Sequence, residues 1–385
     1  MNNSCRIGVI FYNNPDTYPP IVNGLRLLSQ AGFVCDLVCR DDGERWGVSY
    51  PPKVNVQRVV TRGHSSWREY VGFVARVMRR ASSTTSVFIG HDMHGLLPAR
   101  LLATFYRRPL VYHCHDFTDA SRVLPLGSRI VRAFEQRFAR TADLVIVPDR
   151  ERAAYMKRAL GLKKPPVVVA NSPLTRPASS GAPLQVALGE RGKSFERIVY
   201  RQGRIGAGHG IEATLRSIPA WRSTSWGFVV MGIGEPAYLE ELTALAHSLR
   251  VEQQFVILPP VSYDRVLDFT PGADLGHALY EPVHINNLHM GTASNKVMEY
   301  MAAGLPLLVS NRSSLRALVE KYECGVTADE SQPESIAIAI NTLFEDEAGA
   351  RRMAASASAA FDEVFSYGRQ LAPVLDALLE LAARA

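Results

Sequence analysis

Short β-branched runs alternate with helix-length segments along almost the whole chain, and nothing else in the sequence constrains the fold as strongly. In the first half the strand-like runs fall at residues 7–11, 34–39, 54–59, 87–89, 110–113, 144–147 and 167–169. Helical segments at 21–31, 69–80, 96–106 and 128–140 lie between most of them. Parallel neighbours need a crossover, usually a helix, and strands covered on both faces read as continuous apolar runs. The pattern therefore predicts a doubly wound α/β fold, a parallel sheet with helices on both faces.

The alternation breaks once. Residues 171–192 carry Pro173, Pro177 and Pro183 around Ser179-Ser180-Gly181, which reads as a linker. Strand-like runs then return at 198–200, 227–231, 255–258, 275–278 and 307–309. A chain of 385 residues fits two domains of this kind. We expect a first Rossmann-like domain over 1–175, a linker over 176–194 and a second over 195–365. A last helix, 366–385, should pack back on the first domain. Its apolar Leu371, Val374, Leu375, Leu378 and Leu379 recur at helical spacing, and Pro373 is expected in its first turn. Ligands of such sheets bind beyond the carboxyl ends of the strands, and two facing domains would share a central cleft.

The net charge of +6 hides an asymmetry. Residues 1–180 hold 26 basic and 13 acidic side chains, so the later residues are net acidic. A basic half implies an anionic surface nearby, a membrane or a nucleic acid. No nucleic-acid module or aromatic stacking pattern is visible, so nucleic acid is not an expected partner. The five cysteines are odd in number and suit free thiols in a reducing cytoplasm. No signal peptide or membrane-length apolar run is present, leaving a cytoplasmic chain that can lie against the inner face of a membrane.

Three glycine-containing strand–helix turns carry candidate chemistry. The first runs Met290-Gly291-Thr292-Ala293-Ser294-Asn295-Lys296 into a helix bearing Glu299 and ending at Gly304-Leu305-Pro306. Free N–H groups at a helix start can hold a phosphate, and an acceptor-only carboxylate one turn in can take both ribose hydroxyls. The plain alternative is an ordinary α/β turn with a surface glutamate. The second turn is Gly203-Arg204-Ile205-Gly206-Ala207-Gly208-His209-Gly210, where Arg204 and His209 could face a diphosphate. A tight packing turn is its plain alternative. The third is Met231-Gly232-Ile233-Gly234-Glu235-Pro236, with Val261 following the next strand; simple turn chemistry explains both equally well.

These residues resemble the GT-B fold glycosyltransferases of group 1, the retaining family 4. There the helix reads N-K-x-x-E-Y-M-A-x-G-x-P, and its Glu binds the nucleotide ribose. The resemblance implies that role for Glu299. It implies diphosphate contacts for Arg204 and His209, within a G-R-x-x-x-x-K-G segment where His209 replaces the usual Lys. Gly203, Gly234, Val261, Thr292, Ser294, Asn295 and Lys296 join the donor site on the same ground. Many members carry a second Glu eight residues before the first, contacting the transferred sugar. Gly291 stands there here, and the backbone N–H groups from Gly291 to Ser294 are the candidates to replace it. A neutral His209 would bind a diphosphate weakly, so activity should fall as pH rises through its pKa.

In the first half, His113-Cys114-His115-Asp116 follows a strand, and His91-Asp92-Met93-His94 follows another. The resemblance implies that His115 contacts the transferred sugar, with His91, Asp92 and Asp116 on the acceptor side. These spacings match no standard zinc pattern, so no metal or other cofactor is expected. A His–Asp hydrolytic pair lacks a Ser or Cys elbow. Arg129, Arg132, Arg137 and Arg140 beside Ile130, Val131, Phe134 and Phe138 could form a basic amphipathic face for anionic lipid. The expected function is transfer of a sugar from a nucleotide-diphosphate sugar to a saccharide or lipid-linked saccharide acceptor, in cell-surface polysaccharide synthesis. The rivals are a sugar-nucleotide epimerase of the same fold and a binding subunit without turnover.

Overall fold

The structure, a computed structural model, describes residues 5–61, 67–117, 126–178 and 180–384. It divides into two compact units, Met1–Ala170 with Tyr367–Ala385, and Asn171–Ser366.

The first unit holds seven parallel strands: β1 (Arg6–Phe11), β2 (Val34–Asp41), β3 (Val54–Val60), β4 (Val87–His91), β5 (Leu110–His113), β6 (Leu144–Val147) and β7 (Val167–Val168). Their order is β3-β2-β1-β4-β5-β6-β7. The chain winds outward from β1 in one direction, then restarts at β4 on its other side. That reversal opens a crevice at the carboxyl ends of β1 and β4. β1 and β4 are buried almost throughout, as a sheet covered on both faces requires.

The second unit repeats the logic with six strands: β8 (Arg197–Gln202), β9 (Trp226–Met231), β10 (Phe255–Leu258), β11 (Leu275–Ala278), β12 (Leu307–Ser310) and β13 (Gly325–Ala328). Their order is β10-β9-β8-β11-β12-β13, so the reversal falls between β8 and β11. Val199, Phe228, Val230, Leu275 and Leu308 from its strands join Ile336 and Ile340 in one core. Strand β13 lies outside the runs read from the sequence. Gly325-Val326-Thr327-Ala328 is short and only partly buried, so it carries no long apolar signal.

Three further expectations change. Residues 182–189, read as linker, form the helix Ala182–Gly189. Pro183 sits in its first turn, where a missing N–H costs nothing, and Leu184 and Leu188 bury one turn apart. The last helix begins at Tyr367, so Pro373 falls in its second turn and not its first. Burial of Tyr367, whose hydroxyl donates to the Pro20 carbonyl at 3.1 Å, extends the helix backwards. The second unit also starts earlier than residue 195. The Asn171 backbone N–H donates to the Thr292 carbonyl and its side chain to the Ala293 carbonyl, at 2.9 and 2.8 Å.

Two turns are fitted to each other beyond the carboxyl ends of β8 and β9. Gly232 has φ +152°, and a Cβ placed there would strike the carbonyl oxygen of Gly203. Ile205 donates to the Ile233 carbonyl at 2.8 Å, tying the turns together. Gly232→Ala is therefore expected to destabilise the second unit by roughly 3 kcal/mol. Gly206→Ala, where an added Cβ meets nothing within 4 Å, is the control. Urea unfolding of both variants checks this, and equal midpoints would refute it.

Candidate functional site

In the second unit the candidate residues converge beyond β8 and β11. The helix Asn295–Ala303 is capped by Ser294, whose hydroxyl accepts from the Val297 N–H at 3.4 Å. Gly304, in left-handed conformation, ends it. Glu299 lies inside this helix and is 5% exposed. Its Oε2 accepts from Gln202 Nε2 at 2.6 Å, and Gln202 Oε1 in turn accepts from the Thr270 hydroxyl at 2.7 Å. Among the described residues, Oε1 of Glu299 meets no donor. Burial raises the pKa of this carboxyl, against the opposing pull of Gln202 and Lys296. The result is a carboxylate with one oxygen fixed and the other open to a ligand hydroxyl.

Lys296 reaches back over the first turn of the site. A Cβ on Gly203 would lie 3.9 Å from its Nζ, an ordinary contact, and it is the φ of +92° that calls for glycine there. Lys296 Nζ donates to the Tyr280 hydroxyl at 3.1 Å, and that hydroxyl is also 2.7 Å from the Ser294 hydroxyl. Tyr280 is clamped by Ser310, whose hydroxyl takes the Tyr280 N–H at 2.7 Å and donates to its carbonyl at 3.1 Å. Burial pushes the Tyr280 phenol up, yet Lys296 and Arg201 together outweigh it and hold the group below its ordinary value. Arg204 is exposed and makes no ion pair among the described residues. Gly234 bridges to Ile205, and Val261 lies half-buried after β10.

Four residues at this site were not read as functional from the sequence. Arg201 is fully buried, its guanidinium 5.6 Å from the Tyr280 ring and its Nη1 3.2 Å from His277 Nδ1. Gln202, His277 and Tyr280 complete the set. The available signal was an Arg-Gln pair ending an apolar strand, since such side chains rarely bury without a partner.

Two expectations are corrected. His209 is pushed down to about 2, by burial first and then by Arg201, Lys296, Arg204 and His277. It is a neutral imidazole near neutrality, so it cannot lose a charge there, and the expected fall of activity through an ordinary histidine pKa is withdrawn. The N–H groups of Gly291 and Ser294 are also committed, to the Ser314 hydroxyl at 3.1 Å and the Met290 carbonyl at 2.8 Å. They cannot take over the contact of a missing glutamate without breaking those bonds. Of that loop, Thr292, Asn295 and Lys296 are half-buried at the helix start.

In the first unit, Asp92 begins the helix Asp92–Tyr106 at φ +53°, a left-handed conformation that few non-glycine residues adopt. Its Oδ1 accepts from the backbone N–H groups of His115 at 2.8 Å and Asp116 at 3.2 Å. Burial, then the Asp116 charge, push its carboxyl up to about 7. Asp116 is exposed and pairs with Arg152 at 3.3 Å. His91 and His115 are buried and bonded to each other at 2.9 Å, with His113 beside them. The structure thus groups His91, Asp92, His115 and Asp116, as one cluster on the first sheet.

Two family models match the chain. The glycosyl transferase 4-like domain covers residues 22–172 and the glycosyl transferases group 1 domain residues 192–360. The chain belongs to the group 1 glycosyltransferases of the GT-B fold. It is similar to D-inositol 3-phosphate glycosyltransferase of Xylanimonas cellulosilytica, 26% identical over 259 residues, 65% of this chain and 60% of that protein. The match therefore spans less than two thirds of that relative. Glycogen synthase of Mycobacterium tuberculosis is 24% identical over 351 residues, 89% of this chain and 78% of that one. Among solved structures, Anabaena HepE in complex with UDP and glucose superposes with TM-score 0.76, covering 98% of this chain and all of that one. At 18% identity this likeness speaks for the fold.

Folding lowers the pKa of His209, so its neutral form is the one the fold accepts. Its contribution to stability is complete above about pH 6.5 and declines as pH falls toward the folded value. His209→Gln is expected to flatten the loss of thermal midpoint between about pH 6.5 and 4.5. Scanning calorimetry across that range checks it, and an unchanged slope would count against the neutral assignment.

Proposed function

We propose that this chain transfers a sugar from a nucleotide-diphosphate sugar to an acceptor hydroxyl, with retention at the anomeric carbon. The observation that carries the reading is Glu299, held through Oε2 with Oε1 unclaimed, one turn inside a helix whose Lys296 overhangs Gly203. In this reading Glu299 takes the ribose hydroxyls. Arg204 and Lys296 face the diphosphate, and neutral His209 donates one N–H to it. Charge accumulates on the leaving diphosphate, and fixed cations lower that barrier without a protein nucleophile or a metal at the phosphates. His115 contacts the transferred sugar, with His91, Asp92 and Asp116 on the acceptor side. The acceptor hydroxyl attacks the face the diphosphate leaves, and a diphosphate oxygen takes its proton. The acceptor is a saccharide or lipid-linked saccharide, in cell-surface polysaccharide synthesis at the inner face of the membrane.

Glu299→Ala is expected to weaken nucleotide-sugar binding at least tenfold, the loss of one charge-assisted contact. A thermal-shift screen of UDP-, GDP-, ADP- and dTDP-sugars first identifies the donor, because a tight ligand raises the midpoint by mass action. Calorimetry then compares the variant, and full affinity would remove the ribose assignment. Release of free nucleotide and an altered sugar without acceptor would mark an epimerase. No turnover by the purified chain would mark a binding subunit.

A membrane contact has its own support. The helix Leu126–Ala139 exposes Leu126, Ile130 and Phe134 at intervals of four, 71%, 38% and 37% exposed, with Arg129 and Arg137 also facing solvent. Trp67 and Val71 are exposed on the helix Trp67–Arg80, and Gly127 lies against the Trp67 ring. Aromatic and aliphatic side chains among arginines suit an anionic lipid surface. No helix among the described residues is long and apolar enough to cross a membrane. Flotation is expected with anionic vesicles at low salt, and Ile130→Glu with Phe134→Glu should abolish it. Equal recovery with zwitterionic vesicles, or none with either, would sink the proposal.

A further inference from the structure

Three histidine rings meet at the carboxyl ends of β4 and β5. His91 closes β4, His113 closes β5, and the two pair in register across the strands. His115, two residues on, returns to the same side as His113. Nδ1 of His91 and Nε2 of His115 lie 2.9 Å apart. The His113 ring centroid is 4.1 Å from that of His115 and 5.0 Å from that of His91. One ring nitrogen from each of the three falls within 4.8 Å of the others.

The cluster is underused as it stands. All three side chains are buried, yet His113 Nε2 and His115 Nδ1 have no hydrogen-bond partner. A buried polar atom left unpaired is costly, so His113 Nε2 in particular asks for a partner, His115 being engaged through its Nε2. The neighbouring carboxylate does not supply one, because Asp92 Oδ1 is spent on two backbone N–H groups.

We propose that His91, His113 and His115 form a three-histidine site for a divalent transition metal, with zinc the ion that suits it best. Neutral imidazoles at three corners and one open position are a recognised zinc arrangement, with Zn–N distances of about 2.0–2.1 Å. Tetrahedral bonds of that length place nitrogens about 3.4 Å apart. The 2.9 Å pair opens slightly, and the three nitrogens, all within 4.8 Å of one another, draw together by ring rotation. The N–H shared between His91 and His115 moves to the far nitrogen of its own ring, so no net proton is released. Metal uptake is read without substrate, so its outcome is separate from the transfer reading.

The test is cobalt(II) titration of the full chain, with any affinity tag removed and bound metal stripped by chelator. We expect uptake of one equivalent with the visible bands of tetrahedral cobalt, displaced by zinc, and a zinc-dependent rise in thermal midpoint. His113→Asn should weaken uptake at least a hundredfold, while His94→Asn, outside the cluster, should retain it. X-ray absorption of zinc-loaded wild type should report three imidazole nitrogens, which decides the matter even if His113→Asn does not fold. Absence of stoichiometric uptake by wild type would overturn the proposal. So would uptake kept by a folded His113→Asn chain, or a ligand shell without three imidazoles.

Discussion

The bond between Gln202 and Glu299 joins the end of one strand to the interior of one helix, and the candidate donor site is built around it. A carboxylate that is 5% exposed needs a donor. Gln202 supplies it at 2.6 Å, and Thr270 fixes the other end of the same amide. This orients Glu299 before any ligand arrives, and preorganisation of that kind reduces the ordering cost of binding. Because Gln202 ends β8 and Tyr300 lies beside Glu299, the strand end and helix are linked twice: the Gln202 N–H also donates to the Tyr300 hydroxyl at 3.2 Å.

Around that link the second unit concentrates positive charge. Burial drives the His209 imidazole to the neutral form, and the nearby Arg201, Lys296 and Arg204 add to it. Lys296 and Arg201 also hold the Tyr280 phenol down against its burial. Arg201 is the unusual member. It is fully buried and has no ion pair among the described residues, leaning instead on His277, the Leu279 carbonyl and the Tyr280 ring. Excess cationic character of this kind is what an anionic ligand would neutralise. In the first unit burial again dominates. It raises the Asp92 carboxyl to about 7 and lowers three histidines together.

Much of the fold was legible because its signals are local. A β-branched run followed by an amphipathic helix reads the same in any context, and strands β1 to β12 fall on such runs. Strand β13 and the helix Ala182–Gly189 were missed because their local signals are weak or misleading: a short, partly polar strand, and prolines that begin a helix. Glu299, Lys296 and Gly203 stood out as candidates because glycines and charges at turn spacing are visible locally, and the resemblance then suggested their roles. Arg201, Gln202 and Tyr280 were not, since their roles depend on partners far along the chain.

By itself, then, the sequence determined two doubly wound units, the turns at their strand ends and the helix that carries Glu299, because period, turn residues and capping act over a few neighbours. Tertiary structure alone decided which side chains meet. It tied Glu299 to Gln202, 97 residues away, and spent the Gly291 N–H on Ser314. It set a neutral His209 among three cations and brought His91 beside His113 and His115. Strand order and register made those encounters, and burial then fixed the charge each group can carry.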